Sequence, residues 1–499
     1  MELTLSFMAL LEAFRPVFTN PTHNTFRLLM TGWILSTRHR FITDLIISSD
    51  SVGNGHFSDY HRFFSHSKWQ IDSLWKQLAQ MLVKQFLGTQ AVIMLAGDDT
   101  LCRKRGLDLF GAGMHHDPLI SSRGMKLVSW GHDWVSLCLI VAQPWWAPTK
   151  VFALPICMRL YRNKQGRTKG KNKPADAGGK TKLARRASKK ARGKQARRDN
   201  RKAKRVAARQ RKKAANAKKN TAATQKVGGH TTRPELMREM LQLVAGWFPD
   251  RQFLFMGDSL YTGQSILSHL PKNVEMIGTV HPQGALYEPA SEEPTRRGAP
   301  RKKGKRLPMA EDWAASPDHP WTRLEFDQFG LHGTFETKTR TGLYYTAGKQ
   351  RLLKFVLTRD IVGQRPSRIF YCTNLNLNVE QILSTYAHRW SIELTHHDAK
   401  QHLGFEDPAN RVPLAVQRTA PMAMFLYSLT VLWYSQHGHQ QVRYPERPWY
   451  PWKSEPSFAD MLTTLRRVTW EEQLSPVQPG SSLWKKSVAF LTNLATLAG

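Results

Sequence analysis

The chain has 499 residues, 41% of them hydrophobic and 22% charged, so it can bury a core but is too long for one ordinary core; two to four domains are expected. Its formal net charge of +35 points to a polyanionic partner, nucleic acid first and an acidic membrane surface second. Four cysteines with no C-x-x-C pair argue against a disulfide scaffold and a zinc ribbon, and suit a reducing compartment.

Residues 1–90 read as helical. From Trp69 to Phe86, apolar residues such as Leu74, Leu78, Leu82 and Phe86 recur mostly at three- and four-residue steps. Such a region fits a packing bundle or a DNA-end-binding domain. The pattern changes at Ala91–Ala96, a short apolar run that stops at Gly97-Asp98-Asp99-Thr100, as a buried strand does when it ends in a site. Met125–Ala142 and Val151–Tyr161 read as further strands, separated by Pro144 and Pro148.

A basic insert follows at 162–228. Between Arg162 and Lys219 it holds 26 lysines and arginines against Asp176 and Asp199, which is +24 of the total and leaves +11 elsewhere. This composition cannot build a core. Three readings fit it: a disordered polycation on DNA, a helix ordered only on DNA, or a nuclear localisation signal. Gly179-Lys180-Thr181 is not a phosphate loop, because Pro174 stands where the opening glycine belongs; no nucleotide cofactor is expected.

Arg233–Trp247 reads as a helix with Pro234 in its first turn, Phe253–Met256 as a strand ending at Gly257-Asp258, Gly263–Leu270 as a short helix and Val274–Val280 as a strand. From 282 to 372 the character is β and loop, with runs such as Thr322–Phe329, Phe355–Arg359 and Arg368–Cys372. A long helix over Val379–Leu403 is predicted, capped by Asn378 with Gln381 three residues on and ended by Gly404. Ala420–Tyr434 is apolar but too short and too polar to span a bilayer, so a buried helix is expected and no membrane partner.

On an unbroken helix, Tyr386, Arg389, Glu393 and Lys400 fall on a stripe roughly 60° wide. A carboxylate flanked by two cations and a phenol is a poor core stripe; alone it is a solvated face. Asp98 and Asp258 change the weighting, since each follows a buried-looking strand. Three such carboxylates can hold two divalent cations, and oxygen ligands suit Mg²⁺ or Mn²⁺. The paired histidines His115-His116 and His396-His397 lack zinc-protease spacing and are expected at the surface or behind the site.

Tyr386-x2-Arg389-x3-Glu393-x6-Lys400 resembles the signature of the large cut-and-paste insertion-sequence transposase family, and Asp98-Asp99-Thr100 and Gly257-Asp258 resemble its first two aspartates. The resemblance covers roughly Ala91 to Gly404. It implies an α/β, RNase H-like mixed-sheet catalytic core at 91–161, 229–281 and 373–437, with a helical N-terminal domain at 1–90. It further implies a β-rich insertion domain at 282–372 and leaves a helical C-terminal region at 438–499. It implies Asp98, Asp258 and Glu393 as metal ligands, with Asp99 as the alternative first aspartate, and Tyr386, Arg389 and Lys400 as contacts to DNA near the transposon end. The partners it implies are transposon ends and target DNA, with a homodimer in the synaptic complex. The expected location is cytoplasmic, on a bacterial nucleoid. Relatives that pass through hairpin intermediates hold a flipped base on an insertion-domain tryptophan, and Trp313 and Trp321 are the candidates for that role. The basic insert departs from the family's common form.

Overall fold

Helices come first in the computed structural model: α1 (Leu5–Glu12), α2 (Asn20–Leu35), α3 (Ile42–Ser48), α4 (Phe57–Ser65) and α5 (Ile71–Phe86). Strands β1 (Ile93–Arg103), β2 (Gly113–His116), β3 (Val128–Ala142) and β4 (Val151–Tyr161) follow. Then come α6 (Arg233–Trp247), β5 (Phe253–Gly257), α7 (Gln264–Leu267), β6 (Val274–Thr279), α8 (Ala310–Ala315), β7 (Thr322–Gln328), β8 (Leu331–Leu343), α9 (Tyr345–Gly348), β9 (Leu352–Asp360) and β10 (Arg368–Cys372). The chain continues through α10 (Val379–Ala387), a 3₁₀ turn (His388–Trp390), α11 (Ser391–Leu403), α12 (Pro413–Gln436) and α13 (Phe458–Leu474). The structure describes residues 5–122, 124–163, 231–281, 283–290, 301–317, 319–328, 331–360, 367–444 and 451–474, with positions 448, 480, 482, 484 and 485. Beyond Arg162 and Asn163, the basic insert lies outside the described residues, as does most of the chain after 474.

The described strands form one ten-stranded sheet in the order β2-β3-β1-β5-β6-β10-β9-β8-β7, with β4 also on β3. Strands β4, β3 and β1 are antiparallel neighbours, while β5 and β6 run parallel to β1. This mixed sheet with helices packed on it is the expected RNase H-like α/β core. Strands β9, β8 and β7 extend it through β10, which pairs antiparallel with β6.

Alternation along β1 assigns its two faces. Gly97 and Asp99 face α6, where the Met237 side chain lies so close that a Cβ at Gly97 would meet its Cε at 2.4 Å. Ala96 faces the other way, into a small core with Cys138, Ile140, Ile382 and Ile392 under α10 and α11. Helix α12 is buried over most of its length and is the apolar segment read as a core helix. The N-terminal helices pack against it, with Phe14 edge-on to Phe425 at 5.1 Å, and Trp33 Nε1 donates to the Leu403 carbonyl at 2.8 Å. No helix among the described residues is long and apolar enough to cross a membrane.

Three readings of the sequence need correction. Strand β1 does not stop at Gly97; it continues to Arg103 because β3 pairs with it from Leu95 to Arg103. Strand β8 was not expected, since its sequence is rich in threonine and charge. Its buried Lys338 is tolerated because Nζ donates to the carbonyls of Trp313, Ala314 and Ser316 at 3.1, 3.0 and 2.8 Å. The long helix over Val379–Leu403 is broken by the 3₁₀ turn at His388–Trp390. Its ends are as expected: Asn378 and Gln381 form a reciprocal capping box, and Gly404 takes the left-handed conformation at φ 60°.

Candidate active site

The two Gly-Asp steps lie level with each other. In the parallel pairing of β1 and β5, Gly97 is the register partner of Gly257, so Asp98 and Asp258 follow at the same height on adjacent strands. Both glycines are required by close packing, since a Cβ on Gly257 would meet the Tyr261 Cβ at 2.9 Å. Beyond Gly257, β5 ends, while β1 runs on beside β3. The crevice therefore opens where Asp98 sits, at the carboxyl end of the parallel strands. The Asp258 carboxylate accepts from the backbone N–H groups of Leu260 and Tyr261 at 2.9 and 3.3 Å, which fixes the turn that follows.

On the α11 side of the sheet, Arg389 bridges two of the acids. Its Nη1 donates to Asp98 at 2.8 Å and its Nη2 lies 3.5 Å from Glu393. Asp98 and Arg389 are mostly buried, whereas the Glu393 side chain is 42% exposed. Burial pushes the Asp98 carboxyl up to about 7; Arg389 opposes this, while the charges of Asp99 and Asp258 add to it. Glu393 is raised by the same burial, against Arg389 and with Asp258. Asp98 and Glu393 thus both feel the charge of Asp258.

The opposite face of β1 carries a second polar group. Asp99 accepts from the Tyr261 hydroxyl at 2.6 Å and lies 3.4 Å from Arg233. Arg233 also donates to buried Asp133 through Nε at 2.6 Å and through Nη2, with its guanidinium over the Tyr161 ring. Asp133 is pushed up to about 7 by burial and by the charge of Asp99, against the pull of Arg233.

The remaining members of the expected stripe turn inward. Lys400 Nζ donates to the Leu101 carbonyl of β1 at 2.8 Å and lies 3.8 Å from Glu406. Tyr386 packs edge-on to Phe370 at 4.9 Å. The 3₁₀ turn adds only about 20° at each of three residues, and the stripe survives it: the Arg389 guanidinium lies 6.0 Å from the centre of the Tyr386 ring and 3.5 Å from Glu393. Arg389 still reaches Asp98 from that turn.

Residues 13–343 match the DDE superfamily endonuclease family. The chain belongs to that family. Residues 341–432, which include α10, α11 and Glu393, are similar to an archaeal putative transposase, ISC1217. No curated protein matches the chain. Together these findings make the protein a DDE transposase-type nuclease acting on DNA.

Endonucleases of the DDE superfamily generally use divalent metal ions. The donor chemistry of this DDE nuclease fits such an ion. Asp98, Asp258 and Glu393 offer hard oxygen ligands, and Asp98 and Glu393 are raised toward protonation by burial and by the Asp258 charge. Among the described residues, no three of His, Cys, Asp and Glu stand close enough to hold a metal as they are, and the Arg389 guanidinium supplies the positive charge between Asp98 and Glu393. Its buried Nε has no hydrogen-bond partner.

Sequence reasoning passed over Arg233, Tyr261 and Ser136, while His396, expected at the surface or behind the site, lies behind it. Ser136, the register partner of Asp98, donates to the Asp98 carbonyl at 3.1 Å and lies 2.7 Å from His396 Nε2. His396 and His115 are buried, while their neighbours His397 and His116 are exposed. The Gly-Asp steps and the Glu393 motif carried a signal; the supporting residues Arg233, Tyr261 and Ser136 are remote from them or carry no pattern of their own. Trp313 is core, 2% exposed, and Trp321 lies beside Lys338 and Arg359, with their charged ends 4.7 and 4.2 Å from its ring.

Proposed function

We propose that this DDE nuclease is a cut-and-paste transposase that binds terminal inverted repeats, cleaves DNA and joins the freed ends to target DNA. The observation that carries this reading is the level placement of Asp98 and Asp258 at the carboxyl end of adjacent parallel strands, with Arg389 linking Asp98 to Glu393. Asp98, Asp258 and Glu393 are the residues that would hold the metal, two Mg²⁺ or Mn²⁺ ions in this proposal. Bound there, the metal would activate the attacking oxygen and stabilise the leaving one. Asp98 is preferred over Asp99 because it shares a face with Arg389, whereas Asp99 is engaged by Tyr261 and Arg233.

In this reading Arg389 exchanges its carboxylate contacts for phosphate when DNA enters, and its unpartnered Nε supports such a second position. Lys400 acts at one remove, holding β1 through Leu101 and so placing Asp98. Tyr386 shapes the same edge. The division into residues 1–90, the interrupted core at 91–161, 229–281 and 373–437, the insert at 162–228, the β-rich segment at 282–372 and the C-terminal segment 438–499 belongs to this proposal. So do the synaptic homodimer and a place on the bacterial nucleoid. A set of four free, buried cysteines suits a reducing compartment.

Labelled, pre-cleaved element ends incubated with target plasmid and Mg²⁺ test the reading. Joined product that disappears in Asp98→Asn, Asp258→Asn and Glu393→Gln, each still binding ends, is the expected result. Cleavage without joining by the wild type would leave a DDE nuclease and overturn the transposition step.

A further inference from the structure

The backbone ladder between β1 and β5 ends at the pair Gly97 and Gly257, one residue before each aspartate. Beyond that pair, β1–β5 hydrogen bonds no longer set how far apart Asp98 and Asp258 stand. The chain after β5 turns at once. Asp258 Oδ1 accepts from the N–H groups of Leu260 and Tyr261, Ser259 and Leu260 are exposed, and Tyr261 and Thr262 are buried. The two buried residues fasten the turn on opposite flanks. On the β6 side, Thr262 Oγ1 donates to the Thr279 carbonyl at 3.0 Å, and the Thr262 carbonyl accepts from the Tyr371 hydroxyl at 2.7 Å. On the β1 side, the Tyr261 hydroxyl donates to Asp99 Oδ1 at 2.6 Å.

Tyr261 thereby reaches both aspartates at one remove. Its own N–H donates to Asp258 Oδ1 at 3.3 Å. Its hydroxyl holds Asp99, whose N–H in turn donates to Asp98 Oδ1 at 2.9 Å. One residue therefore spans the gap between the two strands where their backbone pairing has stopped. Its ring has little room to swing: Tyr261 is fully buried, and a Cβ on Gly257 would meet the Tyr261 Cβ at 2.9 Å. The acceptor is held as well, since Arg233 lies 3.4 Å from Asp99 Oδ2 and is itself fixed by Asp133 at 2.6 Å and by the Tyr161 ring, 4.4 Å from its guanidinium carbon. At 2.6 Å, the Tyr261–Asp99 contact has the length of a hydroxyl-to-carboxylate bond, one of the stronger classes of hydrogen bond.

We propose that Tyr261 is a positioning residue that sets the spacing of Asp98 and Asp258 for metal binding, with Asp99 as its anchor. The Asp98-Asp99 doublet then divides its work: the first carboxylate binds, and the second holds the turn that carries Asp258. Mg²⁺ accepts little error in the placement of its oxygen ligands. Removing a side chain that orients a ligand from behind costs about 10- to 100-fold in metal affinity. A bond that only stabilised the core would leave the affinity of the folded protein unchanged. The inference rests on the reading of Asp98 and Asp258 as metal ligands, and its test requires no cleavage.

Calorimetric titration of Mn²⁺ into the full-length protein, beside thermal melting, tests the role. Tyr261→Phe keeps the ring and loses only the hydroxyl, and it should raise the Mn²⁺ dissociation constant by about tenfold. Asp99→Ala removes the acceptor and should weaken Mn²⁺ to the same degree. The double variant should be no weaker than either single one, because all three lack the same bond. Asp99→Asn keeps an acceptor oxygen and should recover most of the loss; this pair of Asp99 variants carries the same comparison where Tyr261→Phe does not fold. A lower melting temperature with wild-type Mn²⁺ affinity in Tyr261→Phe overturns the proposal, as does a double variant whose loss is the product of the two single losses. Asp98→Asn and Asp258→Asn separate this proposal from the reading beneath it. If they lose Mn²⁺ while Tyr261→Phe keeps it, the positioning role alone is overturned; if they also bind Mn²⁺ like the wild type, the metal site lies elsewhere and both fall.

Discussion

Asp98 and Asp99 are adjacent and chemically identical, yet β1 sends them into different surroundings. Asp98 meets Arg389 and, through it, the half-exposed Glu393 beside the open end of β5. Asp99 meets Tyr261 and Arg233 beneath α6, and Arg233 ties it to buried Asp133. Both carboxyls are raised by burial, so electrostatics alone does not tell them apart. Exposure does not separate them either, since the Asp99 side chain is 26% exposed and that of Asp98 18%. What separates them is company: Asp98 shares its face with Arg389 and Glu393, whereas Asp99 is held by Tyr261 and Arg233 in a network that ends at Asp133.

The largest expected effect breaks this comparison if it fails. Asp98→Asn should reduce metal-dependent cleavage by at least about a thousandfold while end binding persists. Asp99→Asn should retain cleavage within roughly tenfold, and its loss should appear as about 1–3 kcal/mol of stability from the disturbed Tyr261–Arg233 network. Cleavage rates beside urea unfolding curves check both. A dead Asp99→Asn with an active Asp98→Asn would exchange the two roles.

Arg389 sharpens the contrast from the Asp98 side. Arg389→Ala should weaken end complexes and slow strand transfer by about 10- to 100-fold, with Arg389→Lys recovering part of the loss because it keeps charge but not the planar fork. Single-turnover transfer with a parallel binding titration measures this. Unchanged kinetics in Arg389→Ala would remove the guanidinium from the working site.

Lys400→Met tests the tie between α11 and β1. Losing the bond to the Leu101 carbonyl should cost about 1–2 kcal/mol in urea unfolding, and cleavage should fall through displacement of Asp98. Normal stability with weakened DNA binding would mean that Lys400 faces phosphate instead.

The last effect is a slope. Burial lowers His396 to about 3, below its ordinary 6.5, with nearby Lys400 acting the same way, so the folded protein holds it neutral. Its contribution to stability is complete above pH 6.5 and is lost as pH falls toward 3. Asp98 and Asp133, raised to about 7, run the opposite way over part of that range. The difference between wild type and His396→Gln therefore isolates the histidine. Wild-type stability should fall more steeply with acid than the variant's, by up to about 1.4 kcal/mol per pH unit between pH 6 and 4. Parallel curves would show that His396 does not titrate as a buried neutral group.

Where strong local signals existed, the sequence was a good guide. The bounds of β4, α6 and β10 follow from apolar runs with proline or capping residues at their ends. Asn378, Gln381 and Gly404 mark helix ends by local hydrogen bonding and backbone conformation, which act within a few residues. The two Gly-Asp steps and the Glu393 motif were legible for the same reason: each is a short pattern. Other features could not be read locally. The extension of β1 to Arg103 depends on pairing with β3, the break at His388–Trp390 is invisible to a periodicity that assumes one helix, and the threonine-rich β8 is a strand by virtue of its neighbours. The tertiary structure alone brought Arg233 to Asp99 and Asp133 across about a hundred residues of chain, set Asp98 level with Asp258, and turned Lys400 inward to Leu101. Helix caps and strand runs are fixed by neighbours along the chain, whereas the environment of a carboxylate is fixed by neighbours across the sheet.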